Sequence, residues 1–285
     1  MRSASGSGDA AVTYANPQLL IGPRELADLV SGASPPLLLD VRPAHEYAAG
    51  HLPGAVHLDL WGLSLGDTDP APLRAFLAII EHLFALRGVS RDRGVVIYED
   101  VSGMRAARAF WFLEYFGHPD VRVLDGGVRA WREAGLVLAT GGHAPAESRW
   151  SGAREDARLA TWRDVQGALD RDEAVVLDVR SDAEYRGEAV RAARGGAIPG
   201  AVHVEWTRAL TAEGRFRSAA ELKALYEDAG VTPDREVIPY CQGAYRAAHT
   251  YLALRLLGYP RVRNYLGSWR EWGDRADLPI VSPGR

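Results

Sequence analysis

Near the N-terminus runs Leu38-Leu39-Asp40-Val41-Arg42, and 138 residues later Val176-Leu177-Asp178-Val179-Arg180 repeats it. His45-Glu46-Tyr47 is followed by Leu52-Pro53-Gly54-Ala55-Val56-His57. Its later counterparts are Ala183-Glu184-Tyr185 and Ile198-Pro199-Gly200-Ala201-Val202-His203, the second copy carrying eight extra residues within 186–196. Val95-Val96-Ile97-Tyr98 parallels Glu236-Val237-Ile238-Pro239, Arg105-Ala106-Ala107 parallels Arg246-Ala247-Ala248, and Trp131 parallels Trp272. A repeat this long predicts two homologous domains, because each unit holds several strands and helices and can enclose its own core.

Apolar runs such as Leu37-Leu38-Leu39 and Val175-Val176-Leu177 have the character of strands buried on both faces of a parallel sheet. Strands alternating with helical segments predict an α/β fold, a parallel sheet flanked by helices in each domain. Pro23 suits a first helical turn, and Thr161–Asp164 and Ser218–Glu221 fit capping boxes. Gly230 and Gly258 stand where helix-ending glycines belong. The expected layout is a flexible leader over 1–16, a first domain over 17–142 and a second over 159–285. Residues 143–158 are either a linker or an ordered surface loop wrapping the first domain.

The second copy contains the only cysteine, Cys241. It follows the apolar strand of Glu236–Tyr240 and opens a six-residue loop ending at Arg246, before a helix closed by Gly258. Such a turn aims backbone N–H groups at one point, and the helix dipole adds positive potential there. A cysteine at that point should ionise readily and become a nucleophile. Arg246 adds a fixed positive charge that can hold an anionic substrate or pin the loop through its carbonyls. The alternative is that Cys241 is a small buried apolar residue. The formal net charge of −4 argues against a nucleic-acid partner, and no apolar run approaches a membrane span. The first residues lack the apolar stretch of a signal peptide, and a single free thiol suits a reducing compartment, so the expected location is the cytoplasm.

Cys241 through Arg246, with Leu177–Arg180, Ile198–His203 and Gly267–Trp272, resembles the rhodanese sulfurtransferases, and these motifs span most of the C-terminal half. The resemblance implies a tandem rhodanese of bacterial type that moves sulfane sulfur from thiosulfate, or a similar small anionic donor, to cyanide or a thiol acceptor. It implies a Cys241 persulfide, ping-pong kinetics, and neither metal nor organic cofactor. Arg246 would join Cys241 in catalysis. Gln242, Gly243, Ala244 and Tyr245 would bind substrate, mainly through backbone N–H groups. Arg180 or Arg186 could reach the site as well. For Arg180 a structural ion pair, with Glu184 as a candidate partner, is favoured, and for Arg191 and Arg194 a solvated basic loop. Counting back from Arg105 places Asp100 opposite Cys241, which would leave the first domain catalytically silent.

Three rivals stand beside this reading. Cysteine-based phosphatases and arsenate reductases place five residues between cysteine and arginine, and here there are four, Gln242 to Tyr245. A non-enzymatic binding module would not need Cys241. A thioredoxin-like protein needs a second cysteine. A 3-mercaptopyruvate sulfurtransferase is the closest alternative, although the Gly-Ser pair that marks that branch after its cysteine is missing.

Overall fold

The computed structural model of the protein describes residues 13–143, 145 and 147–283. In the first domain the elements run β1 (Leu20–Ile21), α1 (Pro23–Val30), β2 (Leu37–Asp40), α2 (Ala44–Ala49), β3 (Val56–His57), α3 (Pro70–Ala85), β4 (Val95–Tyr98), α4 (Met104–Tyr115), β5 (Val121–Leu124) and α5 (Gly127–Glu133). The second domain repeats them as β6 (Leu159–Ala160), α6 (Trp162–Ala168), β7 (Ala174–Asp178), α7 (Asp182–Tyr185), β8 (Val202–His203), α8 (Ala219–Glu227), β9 (Glu236–Tyr240), α9 (Tyr245–Leu256), β10 (Asn264–Tyr265) and α10 (Ser268–Trp272). The expected two α/β domains are therefore present.

The first sheet is ordered β1-β5-β4-β2-β3, and every pair is parallel. The second keeps the equivalent order: β8-β7-β9 pair in parallel, β10 pairs with β6, and a Val237–Val262 bridge joins the two parts. Strands β2, β4, β7 and β9 are buried along their whole length, as their apolar runs require. The capping boxes of Thr161–Asp164 and Ser218–Glu221 form, and Ser181–Glu184 makes a third.

The domains pack face to face. Helices α4 and α9 lie against each other, and one continuous core takes residues from both. Polar contacts seal the joint: the Tyr251 hydroxyl donates to Glu114 at 2.7 Å, and Arg255 pairs with the same carboxylate at 3.3 Å. Thr68 donates its hydroxyl to Glu271 at 2.8 Å.

Two expectations about the connecting segments change. Tyr14 and Asn16, expected in a flexible leader, bond the second domain: the Tyr14 hydroxyl donates to the Arg217 carbonyl, and Asn16 donates to Leu256 and Arg255 carbonyls. Residues 1–12 of that leader lie outside the described residues. Of the two readings of 143–158, the described part matches the wrapping loop. Trp150 is buried against Phe84 and Phe116, and the Gly152 N–H donates to Glu81 at 2.7 Å. Ala144 and Ala146 lie outside the described residues. Among the described residues no helix is long and apolar enough to cross a membrane.

Candidate active site

Strand β9 delivers Cys241 to the start of a tight loop, and the loop turns into α9 by placing Ala244 in the left-handed region at φ 62°. That left-handed, non-glycine residue bends the backbone around the sulfur. The N–H groups of Ala247, Gly243 and Arg246 bond the thiol position. Burial alone would raise the Cys241 thiol, but the Arg246 charge and these N–H groups outweigh it and hold the thiol below its ordinary value. The site favours the thiolate.

A second segment supports the loop from beneath. The N–H groups of Trp269 and Arg270, at the start of α10, donate to the carbonyls of Cys241 and Gln242 at 2.8 and 3.0 Å. Ser268, left-handed at φ 53°, accepts from the N–H groups of Cys241 and Ala244 at 3.2 and 3.1 Å while its hydroxyl donates to the Tyr265 carbonyl at 2.8 Å. The Ala244 N–H is thus committed to Ser268 and does not face the sulfur. One hydroxyl holds both sides of the bend.

Arg246 is fully engaged. It grips Glu184 through two hydrogen bonds of 2.6 and 2.9 Å, and its charge also reaches the Cys241 sulfur. Burial pushes the Glu184 carboxyl up, but Arg246 and the Ser181 cap hold it down, to about 2. Arg191 lies 3.7 Å from the same carboxylate. Glu184 therefore sets the direction of two arginines.

The sulfur faces a cavity of about 420 Å³ closed on one side by each domain. From the second domain come Arg191, Trp206, Gln242, Arg246 and Arg270; from the first come Trp61, Gly62, Ser64 and Met104. Tyr245 ties the halves together. Its hydroxyl donates to the Leu60 carbonyl at 2.6 Å, and its ring lies 4.9 Å from that of Trp61. Gln242 donates to the Arg191 carbonyl at 2.8 Å, which fixes the mouth of the cavity. A Cβ at Gly243 would stand 3.0 Å from the Ser64 hydroxyl, so a side chain there would require that hydroxyl to turn aside.

Of the residues expected at the site, Cys241, Gln242, Gly243, Tyr245 and Arg246 line the cavity, and Ala244 shapes the loop behind them. Arg180 and Arg186 do not line it. Arg180 is buried in an ion pair with Asp178 at 2.6 Å, not with Glu184, and its guanidinium lies 4.3 Å over the Trp269 ring. Arg186 points to Glu188 at 3.0 Å on the exposed surface. Of the two residues expected in a solvated loop, Arg191 lines the cavity, whereas Arg194 clasps the carbonyls of Trp272, Gly273 and Leu278. Trp206 lines the cavity, and Trp269 and Trp272 are core.

The first domain keeps the loop and places a carboxylate where the second has its cysteine. Val128 and Arg129 donate to the Glu99 and Asp100 carbonyls, just as Trp269 and Arg270 donate to those of Cys241 and Gln242. Glu99, not Asp100, is therefore the spatial counterpart of Cys241, and the first loop is one residue longer before its arginine. The Glu99 carboxylate fills its own cradle, accepting from the N–H groups of Arg105 and Ala106 at 2.7 and 2.9 Å. Burial pushes its pKa up to about 7 despite those two bonds.

A family model described as the rhodanese-like domain matches this chain twice, over residues 22–134 and 161–275. The chain belongs to the rhodanese family. This tandem rhodanese is 37% identical over 269 residues to a thiosulfate sulfurtransferase of Azotobacter vinelandii, covering 94% of this chain and 98% of that one. It is 36% identical over 284 residues to the sulfur carrier protein TtuD of Thermus thermophilus, with the same coverage of 94% and 98%. The solved 3-mercaptopyruvate sulfotransferase SseA of Escherichia coli superposes with a TM-score of 0.75 at 30% identity, over 88% of this rhodanese and 98% of that chain. An anaerobic ergothioneine biosynthesis enzyme from Chlorobium limicola superposes with a TM-score of 0.81 over 93% of this chain and 70% of its own; at 23% identity that likeness shows the fold alone.

The partners of Arg246 and the role of Ser268 were not readable from the loop itself. The repeat does carry a signal for the second. Ser268 falls opposite Gly127, left-handed at φ 57°, so a serine stands at a position whose backbone favours glycine.

Proposed function

We propose that this protein is a thiosulfate sulfurtransferase that carries sulfane sulfur on Cys241. The observation that carries the reading is the place of Cys241, ringed by loop N–H groups at the floor of a cavity whose wall holds Arg191, Arg246 and Arg270. The thiolate attacks the outer sulfur of thiosulfate, the S–S bond of the donor breaks, and sulfite leaves with the bonding pair. The persulfide's terminal negative charge takes the place of the thiolate's among the loop N–H groups. Cyanide or an acceptor thiol then attacks the outer sulfur and restores the Cys241 thiolate, so transfer runs as two half-reactions.

Among the cavity arginines, Arg270 pairs with no carboxylate among the described residues, and Arg191 meets Glu184 only at 3.7 Å. These two are the ones to draw in the donor anion, whereas Arg246 is held by Glu184 at 2.6 and 2.9 Å. The four residues between Cys241 and Arg246 make a loop suited to a sulfur centre, and the Azotobacter relative supports thiosulfate as donor. A reducing compartment, the cytoplasm, is the setting such a free thiol suits. The reading is tested by steady-state rates of thiocyanate formation with thiosulfate and cyanide both varied. Parallel double-reciprocal lines, and loss of turnover in Cys241→Ser, support it. Faster turnover with 3-mercaptopyruvate would move the assignment to that donor, and no turnover with either would reject sulfur transfer from these donors.

A further inference from the structure

Arg108 projects from α4 of the first domain and is 1% exposed. No carboxylate lies within ion-pair distance of it among the described residues, and its Nε has no hydrogen-bond partner. Its guanidinium donates to two backbone carbonyls, Leu63 at 2.7 Å and Gly243 inside the Cys241 loop. It also stacks 3.9 Å over the Tyr245 ring and 5.2 Å from Phe112. A buried charge without a counter-charge is strongly unfavourable, and carbonyl dipoles and ring faces offset only part of that.

We infer that Arg108 is a positioning residue for sulfur transfer: a buried cation with no carboxylate of its own, supplied by the domain that has no cysteine, which joins Arg246 in favouring negative charge on Cys241 and clamps the Gly243 carbonyl. This rests on Cys241 being the sulfur carrier. Arg246 is the first charge that lowers the thiol, but it shares its charge with Glu184, and Arg191 leans on the same carboxylate. Arg270 stands on the exposed cavity wall. Tyr245 is held as a neutral phenol by burial. Burial lowers the Arg108 pKa, and the ionisable groups that draw it back are Tyr245 and Cys241. The clamp has a geometric effect as well. By fixing the Gly243 carbonyl, Arg108 sets the Gly243–Ala244 peptide, whose N–H donates to Ser268, and so holds the bend of the loop around the sulfur.

Because Cys241 is the only cysteine, its ionisation is read directly from the pH dependence of alkylation by iodoacetamide in the full chain. Arg108→Gln keeps amide donors but drops the charge, and should raise the midpoint by about one pH unit. Below the midpoint, persulfide formation from thiosulfate should then slow about tenfold. Arg108→Lys, which keeps the cation, should stay close to the wild type. A folded Arg108→Gln with the wild-type midpoint would overturn the proposal. A wild type with an ordinary thiol midpoint would instead overturn the thiolate reading of Cys241. Should Arg108→Gln not fold, thermal midpoints of Arg108→Lys and Arg108→Met, each with Cys241 and with Cys241→Ala, decide the matter. The charge should favour the fold more when the thiolate is present, and equal effects in both backgrounds would sink the idea.

Discussion

Arg246 and Glu184 meet as a two-bond pair, 2.6 and 2.9 Å, across the loop and helix α7, with the carboxylate almost fully buried. The arginine that closes the Cys241 loop is therefore aimed by a residue sixty-two positions earlier in the chain. Its charge is presented to the sulfur from a fixed direction, and it is not free to follow a substrate.

Stability should reflect that pair. The Glu184 carboxyl is held down to about 2 from an ordinary 4.5, so its contribution is present above pH 4.5 and fades as pH falls toward 2. Glu184→Gln should be less stable at neutral pH by about 3 kcal/mol, and the gap should close in acid. Urea unfolding of both proteins from pH 7 to pH 3 checks it; a pH-independent gap would contradict the pairing.

Ser268 should matter as much as the cysteine's immediate neighbours. Ser268→Ala leaves the Cys241 and Ala244 N–H groups without their acceptor, at a loss of about 2 kcal/mol. Sulfur transfer should fall with it. Ser268→Gly relieves the φ of 53° but still lacks the hydroxyl, so it should recover stability without recovering turnover. Thermal midpoints alongside thiocyanate rates separate the two effects.

In the first domain Glu99 behaves in the opposite sense from Glu184. Its pKa rises to about 7 in the folded protein, so folding favours the protonated carboxyl and its ionisation weakens the fold as pH climbs from 4.5 through 7. Glu99→Gln should be more stable than wild type at pH 8, with little difference near pH 4. Thermal midpoints at the two pH values decide it, and a gain confined to acid would contradict the burial account.

Arg180 and Arg186 should separate cleanly. Arg180→Met strands the buried Asp178 carboxylate and should destabilise by roughly 3–5 kcal/mol. Arg186→Ala, on the surface and off the cavity, should leave stability and the thiosulfate KM unchanged. A rise in KM for Arg186→Ala would place it at the site after all.

What the sequence disclosed was contiguous or repeated. The Cys241–Arg246 loop, its strand and its helix are one run of text, and the repeat announces the second domain. What it hid depends on packing between distant segments. Arg108 reaches the loop only because α4 and α9 lie together, and Glu184, brought up from sixty-two residues earlier, takes Arg246 and not Arg180. Register misled in one place. Counting from Arg105 points to Asp100, whereas alignment in space follows the strand ends Tyr98 and Tyr240 and the carbonyls that follow them, which bring Glu99 opposite Cys241. An insertion between two anchors cannot be placed by counting from one of them.

The most direct test of the account is the intact mass of the protein after thiosulfate, then after cyanide, for the wild type and Cys241→Ala. We predict the gain of one sulfur atom on the wild type alone, removed by cyanide with release of thiocyanate. An unchanged mass after both thiosulfate and 3-mercaptopyruvate, or a gain that persists in Cys241→Ala, would contradict Cys241 as the carrier.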